Sequence, residues 1–272
     1  MIRYLELARP QNCVMAGLAI AIGGLIGAES TFIDNIQSIA IASIVGCMIT
    51  AGGNAVNDFY DARIDAINRP DRPIPSGRIS PRNALLFSMS LFVIGTALSF
   101  FINPICLFIA SLSSLVLIYY SYTLKRKILW GNICIGYLVG STFLFGGAAV
   151  GGLMATSVPF LLAMLATVGR EIVKDMEDME GDQKEGIITL PIAIGEKRSA
   201  AIASMFLLGT ILLSPLPAVL NILGMPYLMV VGFADVCFLA AIVTIKSPSR
   251  SSSFLKNGMV VALLAFIIEV AI

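Results

Sequence analysis

Nine mostly apolar stretches recur along the chain, at 12–28, 36–57, 84–102, 105–122, 131–150, 157–175, 200–220, 226–245 and 256–271. Each approaches the roughly 20 residues that a helix needs to cross a hydrocarbon core. Each therefore reads as a transmembrane helix, and internal glycines do not argue otherwise, because membrane helices tolerate them well. Only Asn103-Pro104 separates the third stretch from the fourth. One helix over 84–122 would be a rod of roughly 58 Å at 1.5 Å per residue, too long for one crossing. Two helices with a tight turn are expected there.

The polar positions test this count independently. All 18 Lys and Arg residues lie at the N-terminus or in or beside the connections after spans two, four, six and eight. The connections after spans one, three, five and seven carry none. A miscounted span would scatter the charges over both faces. The excess of positive charge on cytoplasmic connections then places the N-terminus and the charged connections inside, and the C-terminus outside. The expected fold is all-α: a polytopic bundle of nine transmembrane helices with a cytoplasmic-side cap, residues 1–272 forming one domain. Arg3 and Arg9 precede the first span without a small-residue cleavage site that opens a soluble domain, so that span is expected to be retained.

Composition agrees and narrows the chemistry. The chain is 57% hydrophobic and 13% charged, about half the charge of a soluble domain, and its mean hydropathy is +0.90. A net charge of +1 argues against a nucleic-acid partner held by a basic surface. The absence of histidine removes His-based zinc sites, catalytic triads and His-ligated haem. The five cysteines sit singly in apolar stretches and read as buried thiols.

The acidic residues follow a different rule. Eleven of the 17 lie in two short stretches, four between Asp58 and Asp71 and seven between Glu171 and Glu185. The first continues span two, where Asn54, Asn57, Asp58, Asp61 and Asp65 recur at helical spacing. The second continues span six, where Glu171, Asp175, Asp178 and Asp182 step by four, three and four. Like charges one turn apart destabilise a helix, so a carboxylate ladder implies a cation. Oxygen-only donors select a hard ion, Mg²⁺ or Ca²⁺, and Mg²⁺ is commonly held by a few carboxylates plus substrate phosphates. Arg69, Arg72, Lys125 and Lys184 flank the ladders, within reach of phosphate oxygens. The loop Asn68-Arg-Pro-Asp-Arg-Pro-Ile-Pro-Ser-Gly-Arg78 is stiffened by three prolines. A solvated acidic cap would explain one ladder; two, both on the basic face and flush with a span end, mark a functional site.

These residues resemble the UbiA superfamily of intramembrane prenyltransferases. The resemblance rests on Asn57-Asp58-x2-Asp61-x3-Asp65, on Asp178-x3-Asp182, and on Tyr120-Ser-Tyr122-Thr-Leu-Lys125. The last element often reads Tyr-x3-Lys in that family; here Ser121 stands at that position, leaving Tyr120 or Tyr122 for the role. Within the superfamily, the segments 8–17, 68–78 and 169–182 are similar to those of archaeal digeranylgeranylglyceryl phosphate synthases. The resemblance implies transfer of geranylgeranyl from its diphosphate to the glycerol hydroxyl of geranylgeranylglyceryl phosphate. It implies Mg²⁺ on Asn57, Asp61, Asp65, Asp178 and Asp182. It implies Arg72, Lys125, Arg63 and Lys184 on the diphosphate, Arg9 and Asn12 on the acceptor phosphate, and Asp58 or Asp175 orienting the acceptor or taking its proton. Tyr120 or Tyr122 would sit near the allylic cation, and the apolar spans would line an isoprenoid tunnel open to membrane lipids. A chlorophyllide-like or quinone-precursor acceptor is the alternative within the family. Outside it, a divalent-cation transporter would place carboxylates near the bilayer midplane on broken helices. Asp235, deep in span eight, is either a hydrogen-bonded core residue or a polar contact in the cavity.

Overall fold

The computed structural model describes residues 2–28, 31–184 and 186–271, with the side chains of all but 32, 126, 184 and 271 of these. Among them there is no strand, and nine helices are long and apolar enough to cross a membrane. In chain order the helices are α1 (Ile2–Ala8), α2 (Pro10–Ala28), α3 (Phe32–Asn68), α4 (Pro81–Phe100), α5 (Pro104–Tyr122), α6 (Trp130–Ala149) and α7 (Leu153–Glu177). They continue with α8 (Met179–Lys184), α9 (Leu190–Ile194), α10 (Glu196–Leu213), α11 (Leu216–Val219), α12 (Met225–Val243) and α13 (Pro248–Ala271). The spans are α2–α7, α10 with α11, α12 and α13. Large apolar side chains such as Phe108, Leu115, Met205, Leu212, Phe233 and Val243 remain exposed, as a multi-pass membrane protein requires.

The chain forms two compact units. The first holds the residues up to Leu124 together with Ser141–Thr156; the second holds Lys125–Gly140 and the residues from Ser157 onward. In the first, lipid offers no hydrophobic drive between helices, so close packing and hydrogen bonds hold them together. A Cβ on Gly146 of α6 would fall 2.0 Å from the Ile20 carbonyl of α2, and one on Gly23 of α2 would fall 2.4 Å from the Phe143 carbonyl. Polar ties reinforce the contact surfaces. Ser88 Oγ of α4 donates to the Gly52 carbonyl of α3 at 2.7 Å. Asn103 caps α5 by accepting from the Cys106 amide, and its Nδ2 donates to the Ala148 carbonyl at 2.8 Å. Ile20, Val45, Ile49, Val56, Phe92 and Phe145 form the core between them.

In the second unit, Gly140 of α6 meets Phe160 of α7, Gly169 of α7 meets Leu207 of α10, and Gly258 of α13 meets Phe238 of α12. Near the C-terminus, Glu269 accepts from the Gly224 and Tyr227 amides at 2.6 and 3.0 Å, capping α12 from α13. Asp235 accepts from Ser214 Oγ at 2.6 Å, while its other oxygen is buried with no hydrogen-bond partner. Of the two readings of Asp235, this geometry matches the hydrogen-bonded core residue at one of its two oxygens.

Three details differ from the apolar pattern. The seventh span, read as one helix over 200–220, breaks at Ser214-Pro215 into α10 and α11, since Pro cannot continue the hydrogen-bond ladder. The ninth begins at Pro248, because Ser249, Arg250 and serines 251–253 continue the helix, Ser251 Oγ bonding the Ala241 carbonyl at 2.9 Å. The second acidic ladder is not one helix: α7 ends at Glu177 and α8 starts at Met179. Asp178 sits at the break and its carbonyl accepts from both the Gly181 and Asp182 amides. Asp is a favoured residue at such helix starts.

Gly146→Val is expected to overpack the α2–α6 contact by about 1–3 kcal/mol or more, lowering the thermal unfolding midpoint in detergent by several degrees. Gly232→Ala, whose added Cβ meets nothing within 4 Å, is expected to leave it unchanged or raise it slightly.

Candidate active site

In the first unit, α3 runs unbroken for 37 residues, so its ladder is carried on one rigid rod. Asp58 and Asp65 are 4% and 6% exposed, while Asn54, Asn57 and Asp61 are half-buried. Two buried carboxylates need positive partners, and these arrive from two other segments. Arg9, between α1 and α2, adopts the left-handed backbone conformation with φ +53°, a strained state for a non-glycine residue. Its Nη2 donates to Asp58 Oδ1 at 2.5 Å. Arg72, from the proline-rich loop, donates through Nη1 to Asp65 Oδ2 at 2.6 Å and to Asp58 Oδ1 at 3.3 Å. Asn54 secures the same junction: its Nδ2 donates to the Ala8 carbonyl at 2.8 Å and its Oδ1 accepts from Asn12 at 3.3 Å.

The loop is built to hold Arg72 in place. The Arg72 carbonyl accepts from the Ser76 amide at 3.0 Å and from Ser76 Oγ at 2.6 Å. Ile74 and Ile79 pack on Leu7, Ala55 and Ala84. Arg78 grips Glu6 of α1 through two nitrogens at 2.6 and 2.8 Å and also bonds the Asp71 carbonyl. This fork holds the Glu6 carboxyl below its ordinary value.

In the second unit, Asp175 of α7 is half-buried and accepts from Asn132 Nδ2 of α6 at 2.8 Å. Glu171 pairs with its neighbour Arg170 at 2.5 Å. Asp178 is exposed at the α7–α8 break and Asp182 is half-buried on α8. Lys125 is half-buried in the 3₁₀ turn Leu124–Arg126. The Lys184 side chain lies outside the described residues.

The structure thus brings Arg9, Asp58, Arg72 and Asp65 into one network, with Asn12 beside it through Asn54. Arg63 and Arg69 are exposed on α3 and just after it. Tyr122, 66% exposed at the end of α5, meets Tyr60 of α3 edge-on at 5.6 Å, and Tyr120 is half-buried. The residues that periodicity did not single out are Glu6, Asn132 and Tyr60. For Asn132 the available signal was an amide in the first turn of an otherwise apolar span.

The chain matches the UbiA prenyltransferase family over residues 13–266. It belongs to that family. Its relatives include the digeranylgeranylglyceryl phosphate synthases of Methanosarcina mazei, 47% identical over 97% of this chain and 96% of that protein, and of Methanopyrus kandleri, 45% identical over 97% of each. A solved structure from work on digeranylgeranylglyceryl phosphate synthase in membranes superposes with a TM-score of 0.88 at 42% identity, covering 98% of this chain and 97% of the other. A UbiA homologue from Archaeoglobus fulgidus, solved with GPP and Mg²⁺, shares the fold with a TM-score of 0.73 at 18% identity, covering 96% of this chain and 99% of that one.

The donor set suits the divalent ion that this family's chemistry implies. Among the described residues no three Asp, Glu or Cys side chains converge on one point. Instead each unit offers a few carboxylate or amide oxygens on one helix face or at one helix break. Mg²⁺ retains several waters and is usually held by one or two carboxylates with substrate phosphates completing the shell, which fits so sparse a set.

The Glu6–Arg78 fork generates a prediction about the loop. Because the Glu6 value is lowered in the folded chain, its contribution is fully present above the ordinary glutamate value and is lost as pH falls through the lowered one. Both partners are over a third exposed, so the effect is local and salt-sensitive. Protection of the 69–80 amides, taken relative to their intrinsic exchange rates, should fall on acidification through that window, and Glu6→Gln should show the reduced protection already above it.

Proposed function

We propose that this chain transfers geranylgeranyl from geranylgeranyl diphosphate to the free glycerol hydroxyl of geranylgeranylglyceryl phosphate, using Mg²⁺, in archaeal ether-lipid synthesis. The observation that carries the reading is the α3 carboxylate ladder with Arg9 and Arg72 folded onto it. The relatives at 45–47% identity, named for this synthesis and matched along nearly their whole length, support the choice of acceptor. Residues 1–272 act as one functional domain, with the N-terminus and the ladders on the cytoplasmic side, as the distribution of Lys and Arg supports.

Asn57, Asp61 and Asp65, and Asp178 and Asp182, are the residues that would hold Mg²⁺. When bound, the ion supplies charge that neutralises the diphosphate as it departs. Arg72, Lys125, Arg63, Arg69 and Lys184 bind the diphosphate oxygens and stabilise the negative charge that grows on them. The allylic C–O bond breaks with its electron pair leaving on the diphosphate. Tyr120 or Tyr122 presents a ring face to the cation character on the prenyl carbon. Arg9 and Asn12 hold the acceptor phosphate so that the glycerol oxygen reaches that carbon, forming the new C–O bond and releasing the hydroxyl proton. Asp175, held by Asn132, and Asp58 are the two candidate carboxylates for orienting that hydroxyl or taking its proton.

Purified protein in detergent, given donor, acceptor and Mg²⁺, is expected to release diphosphate and form the diether phosphate only when all three are present. Asp65→Ala and Asp182→Ala should each lower kcat by on the order of 10²–10³. Turnover with an aromatic or chlorophyllide-like acceptor alone would keep the transferase and overturn the lipid assignment. No release with any acceptor, from folded protein, would sink the enzyme reading.

A further inference from the structure

Asp58 occupies a place that suits a proton acceptor poorly and an anchor well. It is 4% exposed, whereas the Arg9 and Arg72 side chains are 34% and 19% exposed. The carboxylate is the more buried group and the two guanidiniums are the more accessible ones. Both guanidiniums bond the same atom, Oδ1, Arg9 at 2.5 Å and Arg72 at 3.3 Å. Each meets it through one nitrogen, Nη2 of Arg9 and Nη1 of Arg72, and a guanidinium carries five N–H donors in a planar fork. The remaining donors are what a phosphate needs for bidentate recognition.

The two arginines reach Asp58 from unrelated places. Arg9 comes from the left-handed turn between α1 and α2, and Arg72 from the proline-rich loop, whose Nη1 also holds Asp65. Neither side chain is fixed by its own helix; the shared oxygen is what registers one against the other. We infer that Asp58 is a positioning residue that joins Arg9 to Arg72, so that the phosphate of the acceptor and the diphosphate of the donor bind with energetic coupling. This rests on the assignment of Arg9 to the acceptor phosphate and Arg72 to the diphosphate made above. On this account Asp58 takes no proton, and of the two candidate carboxylates Asp175 is left to meet the hydroxyl.

The test is a set of kinetic and binding measurements on purified full-length protein. Asp58→Asn keeps the shape and an acceptor oxygen but removes the charge. It is expected to raise KM for both substrates roughly tenfold, on the scale of one buried charge-assisted hydrogen bond. The kcat at saturation and its pH profile should be unchanged. Calorimetry with inorganic pyrophosphate gives the readout that does not require turnover: Arg9→Gln, at the arginine assigned above to the acceptor phosphate, should weaken pyrophosphate binding several-fold in the wild-type background and have no effect in Asp58→Asn. Should Asp58→Asn fail to fold, the Arg9→Gln/Arg72→Gln cycle with Asp58 intact decides the matter through its non-additivity. A fall in kcat with unchanged KM and a lost limb of the pH profile would make Asp58 the base and overturn the proposal, as would strict additivity in the cycle. If neither single arginine variant moves either KM, the substrate assignments fail, and the coupling fails with them; that result differs from additive arginine effects, which spare the assignments and remove only the coupling.

Discussion

A carboxylate buried to 4% exposure at the end of a membrane helix must be neutralised by charge within hydrogen-bonding reach, and Asp58 imposes that requirement on the whole first unit. Removing an ion from water costs several kcal/mol even after the protein relaxes. Arg9 and Arg72 meet that cost, and much of the local architecture serves to deliver them. The chain breaks between α1 and α2 with Arg9 in a strained conformation. The loop after α3 folds back on α1, with Ile74 and Ile79 buried against Leu7 and Ala55. Glu6 and Arg78 close the flap from outside. Asp58, with Asp65 buried beside it, thus accounts for a strained turn, a stiff loop and a short helix lying beside them.

The network also needs a base that does not give. Tilting α3 by even a few degrees would carry Asp58 and Asp65 together away from Arg9 and Arg72, since both ride the same helix, about three turns and one turn from its end. Rigidity comes from contacts in which backbone approaches backbone at Gly23 and Gly146, and from serine and asparagine side chains bonding carbonyls of neighbouring helices. Such contacts suit lipid, where dispersion and hydrogen bonding hold helices together. They also fix helix positions more tightly than interdigitated leucines would, because a carbonyl has no rotamer by which to yield.

The two acidic clusters differ in kind. The carboxylates of α3 that are most buried are held by arginines, in a region already balanced in charge. Those of the second unit meet a neutral amide at Asp175 and stand at a helix break at Asp178. The division is one of burial: the arginine-held Asp58 and Asp65 of α3 are 4% and 6% exposed, whereas Asp178 stands exposed at its helix break.

The nine spans found among the described residues were legible in the sequence, most of their ends to within several residues, because the bilayer constrains the chain locally. Every crossing must be about 20 apolar residues long, and every basic connection must choose a face. The α3 ladder was legible for the same reason, since a 3.6-residue period turns spacing into a shared face; the second was legible only over Glu171 and Asp175, because the helix breaks at Asp178. The partners were not. Arg9 and Asp58 are 49 residues apart, Asn132 and Asp175 are 43, and Glu6 and Arg78 are 72; no local pattern joins such pairs. Asp58, Asp61 and Asp65 look equivalent along the helix, and only the approach of α1, α2 and the proline-rich loop makes one of them a buried anchor and leaves another half-exposed. Sequence alone determined which residues share a helix face, because that depends on helical geometry; tertiary structure decided which of them carry partners, because that depends on segments brought together only by packing.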